Sequence, residues 1–351
     1  MTRHRTSALA DCRQRLATAI AAALMVPAAS MAGAVAPLAS GQQVADGNIV
    51  TLDPGDYATS NEGEAVIIAR NGGTITSSGP ITVVSSGQQA AGAQATGPNS
   101  SITLIGSSVT TSGNGAMGLD ARTSGKIYAT NSVISTTGIG ATGANISGAS
   151  AEVVLSNSTV STTGESAHAM NVEKGGRASL TFGSLKTAGE SANGVTVMGT
   201  GSEFLMDRAS IVTEGDHGRG IYTGANTSGA IVEIKGRAAA DTPATITTEG
   251  AFATGVEIDG NGNTVKMTDV VIGTKGQGAR GVHLDGDGHT VTADNVRITT
   301  DGADAEAISN RGGTVEVRNS VLTTTGSKSH GLYAGQSTTE GATPTTRAAR
   351  T

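Results

Sequence analysis

The feature that most constrains the fold is a repeat of about 25 residues that runs through most of the chain. Each copy carries a glycine in a Thr- and Ser-rich segment, as in residues 159–172, TVSTTGESAHAMNV. Successive marker glycines are 24 to 26 residues apart, except for one step of 35 that holds an insertion at residues 236–244. Fixed periods in this range indicate a solenoid of stacked repeats. The marker glycines are Gly63, Gly87, Gly113, Gly138, Gly164, Gly189, Gly215, Gly250, Gly276, Gly302 and Gly326.

Three columns of apolar residues keep a constant distance from the marker. The first lies four residues before it, at Val83, Val109, Ile134, Val160, Leu185, Ile211, Ile246, Ile272, Ile298 and Leu322. The second lies six residues after it, at Leu119, Ala144, Met170, Val195, Ile221, Val256, Val282, Ile308 and Leu332. The third lies eleven residues before it, at Ile102, Ile127, Val153, Phe204, Val265, Val291 and Val315. Alternation around each column predicts three short strands per repeat.

These columns predict an all-β fold, a right-handed parallel β-helix of about eleven coils. One coil cannot bury its own aliphatic residues, but stacked coils place like residues on like and form one core. At about 4.8 Å per coil the solenoid would be roughly 50 Å long. The composition, with 51 glycines and 2% aromatic residues, suits small turns around a thin core.

The two ends of the chain do not follow the repeat. Residues 1–34 resemble a secretory signal peptide, with four arginines before the apolar run 16–29 and the small residues 32–34 at its end. Its removal would take away Cys12, the single cysteine, and leave 19 basic and 28 acidic residues. So acidic a protein is a poor candidate for nucleic acid binding, and no membrane span is expected after cleavage. We expect a lead-in or N-terminal cap at 35–56, with a strand at 49–52, the β-helix at 57–336, and a disordered tail at 337–351.

The coil motifs resemble a known family. The segments GSSVTTSGNGAMGL (106–119), NSVISTTGIGATG (131–143) and NSVLTTTGSKSHGLY (319–333), together with the predicted export signal, are similar to the passenger domain of a pertactin-like bacterial autotransporter. The resemblance implies a right-handed β-helix displayed at the cell surface, commonly for adhesion or virulence. It also implies a C-terminal translocator barrel, for which this sequence shows no alternating amphipathic strands. Truncation, a frameshift or an outer-membrane translocator encoded elsewhere would each explain that departure; without translocation the protein would stay periplasmic.

Several short motifs invite a functional interpretation. The glycines of 113–118, 138–143 and 276–281 fit the dinucleotide-binding pattern, but they recur in repeat register with no helix after them. The segments 259–263 and 285–288 are rich in Asp, Asn and Gly, but they lack the spacing of a calcium loop. His168 and His330 lie four residues after their markers, in a mixed column that predicts exposure to solvent. His217, His283 and His289 are scattered and are likewise expected at the surface. That mixed column also holds Ala91, Met117, Thr142, Asn193, Arg219, Thr254, Arg280 and Glu306.

The sequence assigns no catalytic, cofactor-binding or metal-binding residue, and no cofactor is expected. The outward position seven residues after the marker changes from coil to coil, which argues against an enzyme. It holds Asp120, Asn145, Asn171, Thr196, Tyr222, Glu257, His283, Ser309 and Tyr333. We therefore expect a non-catalytic adhesin with an unidentified host or cell-surface ligand. A secreted polysaccharide-active enzyme, which would need grouped carboxylates, and a decayed passenger without activity are the alternatives.

Overall fold

The computed structural model describes residues 39–237, 242–335 and 345–349. It confirms the predicted parallel β-helix: three parallel sheets of twelve strands each run along residues 39–349. The strands are numbered β1 to β36 in chain order, and each pairs with the strand one coil away, as Val109 does with Val83 and Ile134. No helix occurs within the described ranges. The handedness of the coil stays a prediction.

Each coil contributes one strand to each sheet, in the order A, B, C. Sheet A contains β1 (Ala39–Ser40), β4 (Gly55–Thr59), β7 (Ile81–Ser85), β10 (Ser108–Thr111), β13 (Val133–Thr136), β16 (Thr159–Thr162), β19 (Ser184–Thr187), β22 (Ser210–Thr213), β25 (Ala244–Thr248), β28 (Val270–Thr274), β31 (Arg297–Thr300) and β34 (Val321–Thr324). Sheet B contains β2 (Gln43–Asp46), β5 (Ile67–Arg70), β8 (Ala93–Thr96), β11 (Leu119–Arg122), β14 (Ala144–Ser147), β17 (Met170–Glu173), β20 (Val195–Met198), β23 (Ile221–Thr223), β26 (Val256–Ile258), β29 (Val282–Leu284), β32 (Ile308–Asn310) and β35 (Leu332–Ala334). Sheet C contains β3 (Ile49–Leu52), β6 (Thr74–Ser77), β9 (Ser101–Ile105), β12 (Lys126–Thr130), β15 (Glu152–Ser156), β18 (Arg177–Thr181), β21 (Glu203–Asp207), β24 (Ile231–Lys235), β27 (Thr264–Thr268), β30 (Thr290–Asp294), β33 (Thr314–Arg318) and β36 (Thr345–Ala349).

The inward faces of the three sheets form one continuous hydrophobic core. Val160 of sheet A, Val172 of sheet B and Val153 of sheet C are all fully buried in it. The three columns predicted from the sequence thus supply this core, except near the C-terminal end, where Leu322 is only partly buried and Leu332 is exposed. Burial of aliphatic side chains on neighbouring coils is the main stabilising term of such a stack.

Both ends of the repeat differ from the sequence-based prediction. The lead-in at 35–56 contains β1, β2 and β3, which pair with the next coil, so residues 39–52 form a coil and only Ile49–Leu52 was expected as a strand. In the tail at 337–351, β36 pairs with β33 over five residues. The prediction of disorder is therefore wrong for 345–349, because the edge of sheet C offers backbone groups that can pair a polar strand as well as an apolar one. The predicted signal peptide at 1–34 lies outside the described residues.

The marker glycines are required by close contact between coils. A methyl group on Gly164 would overlap the carbonyl oxygen of Gly138 in the preceding coil, and the same holds at every marker from Gly113 to Gly326. At Gly87 the overlapping carbonyl belongs to Asn61, so Asn61 is the structural equivalent of a marker and the assignment of Gly63 was wrong by two residues. Gly63 has φ of 68°, as Gly115 and Gly140 do at the equivalent place two residues after a marker.

A ladder of buried threonines fixes the turn that leads from sheet A to sheet B. In each case the hydroxyl of the last strand residue donates a hydrogen bond of 2.5 to 2.7 Å to the carbonyl five residues later. The hydroxyl satisfies a buried backbone acceptor that the sheets cannot reach. The threonines are Thr136, Thr162, Thr187, Thr213, Thr248, Thr274 and Thr300.

Candidate functional site

The outward face of sheet B carries the column that lies seven residues after the marker. The strand register places its members side by side from the first coil to the last, which makes a continuous line along the solenoid. We call this line the sheltered strip. It consists of Val44, Ile68, Gln94, Asp120, Asn145, Asn171, Thr196, Tyr222, Glu257, His283, Ser309 and Tyr333.

The strip is largely buried, although it points away from the core. Asp120 is 0% exposed, Ser309 1%, His283 7% and Glu257 9%. The side chains that flank it on the sheet A side, such as His168 and Arg280, are half-buried as well. The sequence predicted that both columns face solvent, and this was wrong for the described coils before His330. Strand alternation alone cannot show this burial, because contacts between side chains of neighbouring coils contribute to it, as at Asp120 and Glu257.

The N-terminal end of the strip is apolar. Ile68 packs with Ala65 and Ala91 in a small cluster separate from the main core, and Val44 and Met117 pack against it. This end thus closes the strip with hydrophobic contacts.

A polar ladder follows over the next four coils. Asp120 accepts hydrogen bonds from Gln94 Nε2 at 2.7 Å and from Asn145 Nδ2 at 2.9 Å. Arg122 Nε lies 2.6 Å from Asp120 Oδ2. Asn171 Nδ2 donates to Asn145 Oδ1 at 3.0 Å. A buried carboxylate with three such partners is well satisfied, so this part of the strip serves to hold the coils together.

Ion pairs flank the C-terminal part of the strip. Arg219 Nε lies 2.7 Å from Glu257 Oε2, and its guanidinium stacks 4.6 Å from the ring centre of Tyr222. Two coils after Arg219, Arg280 Nε donates to Glu306 Oε2 at 2.7 Å. Each pair connects neighbouring coils, so the charges are fixed in position before any ligand binds.

Burial changes the protonation of three groups near these pairs. It raises the pKa of Asp259 to about 6, with a further contribution from the charge of Glu257. It lowers the pKa of His168 to about 4, with Arg219 acting in the same direction, and that of His283 to about 4, with Arg280 acting likewise. Both histidines are therefore neutral at pH 7, and the Asp259 carboxyl titrates close to neutrality.

Two buried polar atoms on the strip have no hydrogen-bond partner among the described residues. They are Nδ1 of His283 and Oγ of Ser309, which occupy equivalent positions in adjacent coils. By contrast, His168 Nδ1 accepts a hydrogen bond from the backbone N–H of Asn193 at 3.0 Å. Most buried polar atoms in folded proteins are paired, so the unpaired pair marks this section of the strip as the candidate binding site.

The other motifs of the sequence have structural roles. His289 is buried at 1% exposure, contrary to the prediction, and its Nδ1 accepts from the backbone of Asn263 at 3.3 Å. His217 is exposed, as expected, and stacks on Phe252. In the described part of the chain no group of three or more His, Cys, Asp or Glu side chains is placed to hold a metal ion. The glycines of the dinucleotide-like patterns include the marker glycines, whose contact with the preceding coil explains them.

Variation along the strip column from coil to coil predicts a surface without function, and this is why the site was not found from the sequence. One signal was available: Asn145 and Asn171 share the same position in consecutive coils, which is the pattern of an amide ladder. A second signal was the pair of opposite charges at Arg219 and Glu257. They lie in neighbouring coils, four and seven residues after their marker glycines. Together they indicate side chains that contact each other across coils rather than free solvent-facing groups.

The fold and the strip define the class of protein as a parallel β-helix with a polar, sheltered outer face. No family model and no curated protein matches the chain. Among solved structures, the chain is similar to one from the cryo-EM structure of the Vag8–C1 inhibitor complex, with a TM-score of 0.51 and 16% sequence identity. The match covers 84% of this chain and 71% of the other. This likeness supports a β-helix fold like that of an autotransporter passenger.

No helix in the described residues is both long and apolar enough to cross a membrane.

Proposed function

We propose that this protein is an exported, passenger-like β-helix that acts by binding a ligand at a cell surface, as an adhesin does. The likeness to a solved passenger supports export and display. That neighbour is in complex with C1 inhibitor, which gives a precedent for a macromolecular partner on this fold.

The observation that carries the proposal is the state of the strip between Tyr222 and Ser309 and of the column that flanks it. Arg219 is held to Glu257, and Arg280 to Glu306, in ion pairs between coils, and two buried polar atoms of the strip are unpaired. Such a surface is preorganised, because its side chains lose little freedom when a ligand binds. A binding function uses these features directly.

Adhesion of the purified protein to cells tests this proposal. Protein coated on beads is presented to bacterial and host epithelial cells, with beads carrying heat-unfolded protein as the control. We expect retention of beads by at least one cell type that is saturable and is competed by soluble folded protein. Retention no greater than that of the control on every cell type would contradict the proposal.

A second candidate function, a polysaccharide-active enzyme, is favoured by one observation. Asp259 titrates near neutrality, as a general acid or base must, and Glu257 provides a carboxylate two residues away. Release of reducing ends or of unsaturated products from a panel of plant and bacterial polysaccharides would support it, provided that Asp259→Asn abolishes the release. Unchanged turnover in that variant would exclude Asp259 as the catalytic group.

A further inference from the structure

We propose that this protein associates side by side with further copies of itself. The turns from sheet A to sheet B of one copy dock on the outward face of sheet C of the next copy. This inference goes beyond the proposed adhesion and does not rest on it. It concerns four successive coils, which begin with β16, β19, β22 and β25.

The outward side of sheet C in these coils carries one exposed or half-exposed basic side chain per coil. We call this surface, with the residue that follows each strand, the basic face. Lys235 and Lys266 share the carboxylate of Glu233, and the two lysine side chains are 51% and 57% exposed against 22% for Glu233. Arg177 is likewise 61% exposed, and its partner Glu203 26%. The cations therefore form the outer layer of the face at three of its four bases, which are Arg177, Arg208, Lys235 and Lys266.

The turns from sheet A to sheet B in the same four coils carry exposed carboxylates. We call this line the acidic ridge, and it consists of Glu165, Glu190, Glu214, Asp216 and Glu249. Two of the five pair with lysines, Lys186 and Lys275. Glu165 and Glu190 form no ion pair within the described ranges. Five carboxylates and two lysines leave the ridge acidic.

The two rows of charge begin and end at the same coils. The sheet C strands on either side, β15 and β30, contain no basic residue. The A-to-B turns on either side, 137–140 and 275–278, contain no acidic residue. A second copy placed alongside without a shift along the axis thus brings each acidic turn opposite the basic strand of the same coil. Opposite charges arranged in this way favour one partner and one register.

The two surfaces can be used at the same time. Each coil passes through sheets A, B and C in that order, so the A-to-B turn is the corner that does not adjoin sheet C. One copy can therefore dock its ridge on one neighbour and receive the ridge of another on its basic face. Contacts between two different surfaces are heterologous and continue into open rows.

Exposed apolar side chains lie among the charges on both surfaces. On the basic face these are Phe182, Leu205 and Ile231. On the ridge, the exposed ring of Phe252 stacks on His217. Aromatic residues and arginine are enriched where protein surfaces meet, so we expect the contact to bury apolar area between its ion pairs.

The backbone at Phe182 indicates that its ring serves a contact rather than the fold. Its φ is 53°, a conformation that Asn157 adopts at the equivalent place in the preceding coil. Asn is enriched at positive φ, whereas a bulky residue there is an outlier. The guanidinium of Arg208 lies 4.0 Å from the ring centre and holds the exposed ring in position. Phe182→Asn should therefore keep or raise the melting temperature while it weakens self-association.

The size of the contact sets the conditions of the test. Four coils and a strand of five residues cover about 19 Å by 17 Å. Contacts this small belong to weak, transient complexes. We therefore measure self-association by analytical ultracentrifugation at about 100 µM protein and about 0.1 M salt, where exposed charges still interact.

Exchange of the charges tests the pairing of the two surfaces. The first variant reverses three bases of the basic face: Arg177→Glu, Lys235→Glu and Lys266→Glu. The second reverses three acids of the ridge: Glu165→Lys, Glu190→Lys and Asp216→Lys. Each variant alone presents two surfaces of like charge, so we expect self-association about tenfold weaker than in the wild-type protein. An equimolar mixture should associate again, because the acidic face of the first variant meets the basic ridge of the second.

A matched control changes the charge by the same amount outside the four coils. It carries Lys126→Glu, Arg297→Glu and Arg318→Glu, and two of these residues also form ion pairs in the wild-type protein. We expect its self-association to be unchanged. The melting temperature of each variant shows that it is folded.

Several results would overturn the inference. They are a wild-type protein that stays monomeric at about 100 µM, an average mass that stops rising at the dimer, equal weakening in the control, a mixture that does not associate, or unchanged association in Phe182→Asn. Retention of beads by cells together with any of these would leave adhesion standing and remove the self-association. Self-association without bead retention would refute adhesion and keep the contact.

Discussion

At the scale of single residues, contact between coils decides where glycine is needed. Five residues after the marker, a glycine faces the sheet A column of the next coil. Gly118, Gly143 and Gly194 each lack room for a methyl group because a γ-carbon of Ile134, Val160 or Ile211 occupies it. The equivalent position is alanine at Ala169 and Ala307, where the next coil has Leu185 and Leu322, which are not branched at Cβ. In these coils glycine accompanies a β-branched neighbour and alanine accompanies leucine, whereas the first coil has Val66 at the position that faces Val83.

This rule predicts that Gly143→Ala destabilises the protein. The added methyl would overlap Val160 Cγ1 and lie 2.6 Å from the carbonyl oxygen of Ala169. Overpacking of this kind costs about 1–3 kcal/mol. Val160→Leu in the same chain should recover part of the loss, since it removes the branch at Cβ and with it one of the two γ-carbons. The free energy of unfolding in urea measures both effects, and no recovery in the double variant would refute the rule.

A second residue-scale prediction concerns Asp259. Its pKa is raised to about 6 in the fold, by burial first and by Glu257 next, while Arg219 opposes the shift. A carboxyl with a raised folded-state pKa contributes stability below its unfolded pKa, near 4, and that contribution is lost as the pH rises through about 6. Asp259→Asn should therefore raise the melting temperature at pH 7.5 and have little effect at pH 3.5.

Melting curves at the two pH values, referenced to the wild-type protein at each, provide the comparison. The histidines act in the opposite direction: the pKa of His168 and that of His283 are lowered to about 4, so their contribution is present above about pH 6.5 and is lost as the pH falls through about 4. The wild-type protein and the Asp259→Asn variant share the histidine contributions, so these drop out when the two melting temperatures are compared at one pH. An equal gain at both pH values would show that Asp259 is not perturbed.

At the scale of elements, the buried threonine ladder fixes seven of the turns from sheet A to sheet B. Thr162→Val removes the hydrogen bond to the carbonyl of Ala167, so we expect a loss of about 1–3 kcal/mol in the free energy of unfolding. Thr111→Val is the matched control, because Thr111 occupies the same column but its buried hydroxyl has no partner. Urea unfolding of both variants tests this; equal losses would mean that the hydrogen bond contributes nothing specific.

The strands were predictable because inward positions carry a strong and repeated signal. A polar residue in the column of Val160 or Val153 would break the core, so the aliphatic columns stand out at a fixed distance from the glycine. The tail strand Thr345–Ala349 was not predictable in this way. Its pairing with β33 depends on a free sheet edge, which is a property of the folded coil.

The strip was not predictable from alternation. Whether an outward side chain is exposed or buried depends on the side chains that contact it from neighbouring coils. The sequence of one strand does not contain that information. Asp120 illustrates this, since three residues from three coils surround one outward carboxylate. Arg219 and Glu257 likewise pair across neighbouring coils. They are 38 positions apart in sequence because the insertion at 236–244 lies between them.

At the scale of the whole molecule, we expect one face of the solenoid to bind the ligand. Sheet B carries the strip, while the insertion lies between β24 and β25, which belong to sheets C and A. A repeated fold of this kind distributes stability along its length and leaves its outer faces free to diverge. We therefore expect adhesion to depend on the sheet B face and not on sheet A.

Chemical blocking of one face at a time tests this claim most directly. In a Cys12→Ser chain, which has no other cysteine, His330→Cys places a thiol on the exposed end of the flanking column beside the strip. Val133→Cys places one on sheet A, where Val133 is 52% exposed. Each variant is coupled to a bulky polyethylene glycol maleimide, and bead retention by cells is measured before and after coupling. We predict that coupling at residue 330 abolishes retention and that coupling at residue 133 leaves it unchanged; equal retention after both couplings would contradict the account.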